Sequence, residues 1–239
     1  MTKVSCIVSA YFAEPFLEGR LQNLLAQSPQ PEIVVVCQRD SVEHRITETF
    51  AKLSDAFVLV LTADVPTVYK AWNMGIQAAS GEYITNSNSD DILYPGALRK
   101  LAEVLDANKN IAVAYSDSDV VAEYGGQPVG RYEWLEGSIL ELLKGCFLGP
   151  MPMWRKSLHE KYGLFDADMH SAGDYEFWLR IAKGGERFKR IKQVLGAYLK
   201  RDDSAESRHK LRSLWEQSRA RGRYREGVGI WKTPEPMTD

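Results

Sequence analysis

The sequence predicts an α/β fold: a mainly parallel, Rossmann-like sheet flanked by helices, in a single domain with a C-terminal helical tail. Three observations predict it. Short β-branched runs alternate with apolar residues at helical spacing through the first half of the chain. Carboxylates and amides cluster directly after those strands, where sheets of this kind bind ligands. The composition, 44% apolar and 26% charged over 239 residues, suffices for a packed core.

Residues 4–10 and 33–37 read as buried strands, short, β-branched and bounded by polar residues. Between them Phe16, Leu17, Leu21, Leu24 and Leu25 recur at helical spacing, and Pro29 and Pro31 end that helix. Residues 57–61 form a third strand. Pro66 opens a helix that runs to about Ala79, with Gly81 at its C-terminal cap. Residues 82–85 are a fourth strand and lead into the polar run 86–91. Pro95 opens a helix through Leu105, and residues 111–115 are a fifth strand.

Beyond residue 117 the pattern turns irregular. Gly125-Gly126 is a turn, residues 138–143 a short helix, and Gly149-Pro150-Met151-Pro152 cannot be ordinary helix. Residues 174–183 form an amphipathic helix with Phe177, Trp178 and Ile181 on one side. No linker or repeat interrupts the chain, so one domain over residues 1–203 with two functional halves is expected.

The formal net charge of -2 gives no bulk attraction to nucleic acid, and no nucleic-acid partner is expected. No run approaches the roughly 18–20 apolar residues that span a bilayer. Met1-Thr2-Lys3 leads straight into a strand-like segment, without the apolar stretch of a signal peptide. Cys6, Cys37 and Cys146 are odd in number, and two lie in strand-like runs. They read as reduced thiols, which points to a cytoplasmic protein. The four histidines lack zinc-type spacing.

Two segments carry chemistry. The first is Thr85-Asn86-Ser87-Asn88-Ser89-Asp90-Asp91. Its clustered oxygens suit Mg²⁺ or Mn²⁺, which takes hard oxygen ligands and shares them with phosphates. The same residues would also serve as a turn, with Asp91 capping the next helix. The second is Ser171-Ala172-Gly173-Asp174-Tyr175-Glu176-Phe177-Trp178-Leu179-Arg180. Asp174 follows a glycine and opens a helix. A carboxylate there either accepts a proton from a substrate hydroxyl or caps the helix. Glu176 and Arg180, four apart, make a helix-surface pair.

Taken in this order, the two segments resemble glycosyltransferase family 2, whose fold is called GT-A. The resemblance runs to about residue 207. Val4 to Tyr11 looks like that family's first strand and loop, and Gln27 with Glu32 to Val36 like its second strand. Tyr69 to Ile76, then Ala79 to Ile84, look like the helix and strand that lead to the metal motif. The best match is a bacterial branch with WN-x-(G/A)-I, TN-x-N-(S/T)-DD and PMWR…H…G-x-FD…AGD-x-EFWLR. Those motifs stand here at residues 72–76, 85–91 and 152–180.

The resemblance implies a nucleotide-sugar half over residues 1–92 and an acceptor half over residues 93–203. It places Asn88, Asp90 and Asp91 where a metal meets the donor diphosphate, with Asn88 standing for the family's first Asp. Asp174 matches the general base, and Gly173 replaces the glutamate that often precedes it. Ser9, Tyr11, Gln38, Asn73, Asn88, Lys200 and Arg201 fall on the donor side. Trp154, Asp91 and Tyr175 fall on the acceptor side, with Trp154 as an apolar floor for a sugar or as core. Many members read the base with an Asp where this chain has Gln38. Many carry a His where it has residues 198–203, so Lys200 or Arg201 would neutralise the diphosphate through charge.

The implied activity is inverting, metal-dependent transfer of a sugar to a glycan or lipid-linked acceptor in polysaccharide biosynthesis. A UDP-sugar is the expected donor. A non-catalytic nucleotide-sugar binder is the alternative that Asn88 and Gln38 favour. Retention of Asp90, Asp91 and Asp174 opposes it. A nucleotidyltransferase would need a Gly-rich basic loop after the first strand, and Tyr11-Phe12-Ala13-Glu14-Pro15 is neither.

Residues 204–239 form a basic helical tail with Trp215 and Trp231. Arg208, Lys210, Arg212, Arg219, Arg221, Arg223 and Arg225 crowd it, and Leu211, Leu214 and Trp215 share one helix face. Such a helix either lies on the anionic inner face of a membrane or packs that face on the domain. Packing is expected, because a stripe this short buries little area and electrostatic attraction fades within roughly 10 Å at 0.1 M salt.

Overall fold

A computed structural model describes residues 3–201 and 210–226. Four parallel strands form its first half in the order β3 (Phe57–Thr62), β2 (Glu32–Gln38), β1 (Val4–Ala10), β4 (Tyr83–Asn86). Between them run α1 (Glu14–Leu25), α2 (Val42–Ala51) and α3 (Val68–Ala78). Strand side chains alternate between two cores. Ile7, Val34 and Ile84 face α3, whose Tyr69, Trp72 and Ile76 are buried in the same cluster. Cys6, Val8, Ile33 and Val35 face α1 through Leu17, Leu21 and Leu24. Helices on both faces explain why β2 is buried from Glu32 to Cys37.

The second half comprises β5 (Ile92–Leu93), α4 (Ala97–Ala107), β6 (Ile111–Val121), β7 (Pro128–Tyr132), α5 (Ile139–Leu142), β8 (Met153–Arg155), α6 (Ser157–Tyr162), α7 (Gly173–Lys183), β9 (Arg187–Leu199) and α8 (Lys210–Arg225). Here the parallel pattern gives way. Strand β8 pairs antiparallel with both β4 and β6, and β5 antiparallel with β9, while β6 and β9 are parallel. The result is one mixed nine-stranded sheet, with β7 paired to β6 off its main path.

The expected elements are present with shifted ends. Helix α3 starts at Val68 rather than beside Pro66, because Thr67 is its N-cap and accepts from Lys70 N at 3.2 Å. Strand β6 runs six residues past the expected Tyr115, and every residue in it is buried. Helix α2 was not expected. Its apolar stripe is only Val42, Ile46 and Phe50, and the fully inward positions include the polar Glu43 and Thr47.

Helix α8 packs on α7, as expected, but with a different face. Ser213, Glu216 and Ala220 are buried, whereas Leu211, Leu214 and Trp215 are 84%, 51% and 60% exposed. Glu216 meets residues 170–172 ahead of α7, Tyr224 meets Glu176 within it, and Glu226 meets Lys183 at its end. The two helices therefore run parallel. Arg208 and Trp231 lie outside the described residues. No described helix is long and apolar enough to cross a membrane.

Candidate active site

The carboxyl ends of β1, β2 and β3 form one edge. The Tyr11 and Thr62 hydroxyls share a hydrogen bond of 2.8 Å, and Gln38 Nε2 donates to the Ala63 carbonyl at 3.0 Å. Both side chains are partly exposed, as is Ser9. Gln38 thus keeps its amide oxygen for other partners.

Beside this edge β4 delivers residues 87–91. Helix α1 fixes that segment through its polar positions. Arg20 donates to the Asp91 carbonyl at 3.0 Å, Asn23 makes two bonds to the Leu93 backbone, and Gln27 reaches the Tyr94 carbonyl. Arg20 is fully buried, and burial lowers its pKa.

The acidic pair splits by environment. The Asp91 carboxyl is 1% exposed and accepts from Asn88 Nδ2 at 2.9 Å, while its Oδ1 has no partner among the described residues. Burial and neighbouring Asp90 push its pKa up to about 7, against the pull of Arg20 and Asn88. Asp90 stays accessible and pairs with Arg201 at 3.1 Å. Lys200 is exposed next to it.

These residues fit a divalent cation with a sparse protein donor set. Asp90 offers an accessible carboxylate and Asn88 an amide oxygen, and the unpaired Asp91 Oδ1 is the kind of orphan that a nearby cation relieves. No cluster of three Asp, Glu, His or Cys side chains suited to a metal occurs among the described residues. A bound ion would therefore draw its remaining ligands from diphosphate and water.

Asp174 sits in the first turn of α7, partly exposed, and accepts from the buried Tyr69 hydroxyl at 2.9 Å. Burial and the adjacent Asp174 raise the Tyr69 pKa well above its ordinary value, so the phenol stays protonated and donates. Gly173 makes this approach possible. A Cβ there would lie 2.7 Å from the Tyr69 ring.

Asn88 and Asp174 line one cavity of about 540 Å³. Its wall is aromatic: Tyr132, Trp134 and Tyr198 line it, with Tyr132 and Trp134 ring centroids 4.8 Å apart. Gln217 of α8 and the exposed Cys146 complete the rim.

Four expected contacts are corrected. Trp154 is 1% exposed, donates from Nε1 to His159 Nε2 at 2.9 Å and packs on Trp178, so it is core and offers no floor to a sugar. Asn73 bridges the Phe165 backbone with both amide atoms, at 2.9 and 3.0 Å, and ties α3 to the loop before α7 instead of binding a donor. Tyr175 borders the cavity but is 1% exposed, and its hydroxyl is given to the Leu142 carbonyl. Asp91 likewise lies beneath the surface rather than on the acceptor side. Sequence reasoning missed Arg20, Tyr132, Trp134, Glu216 and Gln217. Of these, only Arg20 had a signal, a cation on the apolar side of α1.

This mixed sheet flanked by helices is similar to the fold of GT-A glycosyltransferases. The chain belongs to glycosyl transferase family 2, whose model matches residues 5–163. It is 29% identical over 196 residues to an uncharacterized glycosyltransferase, YwdF, of Bacillus subtilis, covering 79% of this chain and 71% of YwdF. Its fold matches residues 1-349 of S. aureus TarS, solved with UDP-GlcNAc, at a TM-score of 0.72 and 21% identity. That match covers 86% of this chain and 60% of the TarS chain. The mannosyltransferase PcManGT from Pyrobaculum calidifontis, solved with GDP-Man and Mn²⁺, matches at 0.70 and 18% identity, over 98% of this chain and 66% of the other. The chain thus spans about two thirds of YwdF and PcManGT, and 40% of the longer TarS chain.

Proposed function

We propose that the chain transfers a sugar from a nucleotide-sugar donor, a UDP-sugar first among them, to a hydroxyl of a glycan or lipid-linked acceptor, inverting the anomeric centre. The observation that supports this reading is Asp174, oriented by Tyr69 and facing Asn88 across one cavity. The donor lies along the carboxyl ends of β1 to β4, with Ser9, Tyr11 and Gln38 toward the nucleoside. Asp90 and Asn88 would hold Mg²⁺ or Mn²⁺, which would stabilise the charge that grows on the leaving diphosphate. Arg201 and Lys200 add positive charge on the same side.

The acceptor hydroxyl attacks the anomeric carbon from the face opposite the diphosphate. Its oxygen forms the new bond as the sugar–phosphate bond breaks, and its proton passes to Asp174. Tyr132 and Trp134 present ring faces on which an acceptor sugar stacks through its C–H bonds. The outward Leu211, Leu214 and Trp215, beside Lys210, Arg212 and Arg219, form the surface for peripheral contact with an anionic membrane.

A panel of UDP-, GDP- and dTDP-sugars with Mn²⁺, scored for binding, slow hydrolysis and transfer, tests this reading. Asp174→Asn should keep donor binding and lose about 100-fold or more in transfer, the usual scale of general-base catalysis. Wild-type transfer by that variant removes Asp174 as the base and leaves it a partner of Tyr69 only. Binding without turnover by the native chain makes the protein a nucleotide-sugar binder.

A further inference from the structure

Glu216 of α8 lies outside the segment that the family model matches. It is 3% exposed, and an acid so buried requires compensating donors. It finds them in one place. Its carboxylate accepts from the backbone N–H of His170 at 3.0 and 3.1 Å, of Ser171 at 2.9 Å and of Ala172 at 3.1 Å, with the Ser171 hydroxyl at 3.4 Å. Three successive amides that converge on one anion form a backbone nest. This nest immediately precedes α7, whose N-terminal dipole also favours negative charge.

The loop so gripped ends two residues before Asp174. From the other side Tyr69 holds Asp174 itself, and Gly173 between them is packed against the Tyr69 ring. The next residue of α8, Gln217, lines the same cavity as Asp174. Further along, Tyr224 donates to Glu176, and Arg223 pairs with Asp166 at 3.1 Å.

We infer that Glu216 is a positioning residue for Asp174: its carboxylate locks the 170–172 amides and thereby sets the place of the catalytic carboxylate, so that α8 is part of the acceptor-activating machinery. The inference rests on the reading of Asp174 as the base. A structural clamp alone would protect the 170–172 loop without changing the rate of the folded enzyme. A positioning residue affects the chemical step while leaving the donor edge, which belongs to β1 to β4, untouched.

The test uses the full chain with Glu216→Ala and Glu216→Gln, alongside Asp174→Asn. Two readouts are taken: hydrogen–deuterium exchange of the 170–172 amides in the free protein, and kcat with UDP affinity for whichever panel donor is turned over. For Glu216→Ala, exchange at those amides should accelerate at least about tenfold, since their acceptor is gone. Transfer kcat should fall about 10- to 100-fold, with UDP affinity within about twofold of wild type, because small misplacements of a catalytic group cost this much. Glu216→Gln keeps one acceptor oxygen without the charge and should fall between the two.

Unchanged exchange at residues 170–172 overturns the inference. So does a loss of kcat matched by an equal loss of UDP affinity, or by faster exchange throughout β1 to β4. Should Glu216→Ala not fold, Glu216→Gln carries both readouts. Asp174→Asn separates the two ideas. If it is fully active, the base assignment fails while exchange still decides whether Glu216 fixes the loop. If it is inactive and the Glu216 variants match wild type, only the positioning role falls.

Discussion

The Tyr69 hydroxyl donates to Asp174 Oδ1 at 2.9 Å across 105 residues of sequence. One residue comes from α3, which covers the parallel strands, the other from α7, which bounds the cavity. The bond therefore ties the two halves of the chain together beside the proposed base. Tyr69→Phe removes it with almost no change of volume. A hydrogen bond to a charged group contributes about 1.5–3 kcal/mol, so kcat should fall about tenfold or more while donor affinity holds. A wild-type rate in that variant would show that Tyr69 only packs.

The proposed role of Asp90 as a metal ligand predicts metal-dependent turnover. Asp90→Ala should abolish most donor cleavage and release Arg201 from its 3.1 Å ion pair. Mn²⁺ titration of the variant should need higher concentrations than wild type, because one of two protein donors is gone. Full activity in excess EDTA refutes the assignment.

The aromatic wall predicts an acceptor effect. Trp134 is held by Asp117, which accepts from its backbone N–H at 3.1 Å, and by Ser118, which accepts from Nε1 at 3.3 Å. Arg190 grips Asp117 at 2.7 and 2.8 Å. Trp134→Ala should raise the acceptor KM about tenfold, equivalent to about 1.4 kcal/mol, with the donor KM unchanged. Gly149→Ala should do the same. Gly149 has φ +73°, and a Cβ there would lie 2.7 Å from Trp134 Nε1. A rise in donor KM instead would move the wall to the donor side.

Acid stability has a identifiable source in His159. Burial lowers its pKa from 6.5 to about 4, and its Nε2 accepts from Trp154, which fixes the neutral ring. Above pH 6.5 this contribution is complete. As pH falls below 6.5 the unfolded chain takes up the proton first, so stability declines until the folded imidazole protonates near pH 4. The whole effect is on the order of 3 kcal/mol, at about 1.4 kcal/mol per unit. His159→Gln keeps an acceptor for Trp154 without titrating, so its urea midpoint should fall less steeply across that window. Parallel slopes in the two proteins would remove His159 as the cause.

What the sequence reveals tracks how local each signal is. Strands β1 to β4 and helices α1 and α3 were readable, because apolar periodicity within a dozen residues determines them. The acidic run 85–91 and Asp174 were readable as motifs. That Asp91 is buried and Asp90 accessible was not, since Arg20 decides it from a different helix. Trp154 was left open between sugar floor and core, because its partner His159 becomes visible only once α6 folds back; it is core. Tyr132, Trp134 and Tyr198 are brought together by β6, β7 and β9, whose pairing no local pattern encodes. Strand β9 itself was missed because its Lys and Arg residues hide its alternation.

The parallel docking of α8 on α7 has a consequence for biosynthesis. Synthesis proceeds from the N-terminal side, so the donor edge can assemble while the ribosome still holds the last helix. The amides at 170–172 then lack their carboxylate until Glu216 clears the exit tunnel. A nascent chain could thus grip its nucleotide early, yet gain an ordered catalytic carboxylate only when α8 arrives. Premature termination within α8 would, on this reading, leave a chain that holds nucleotide and transfers sugar slowly.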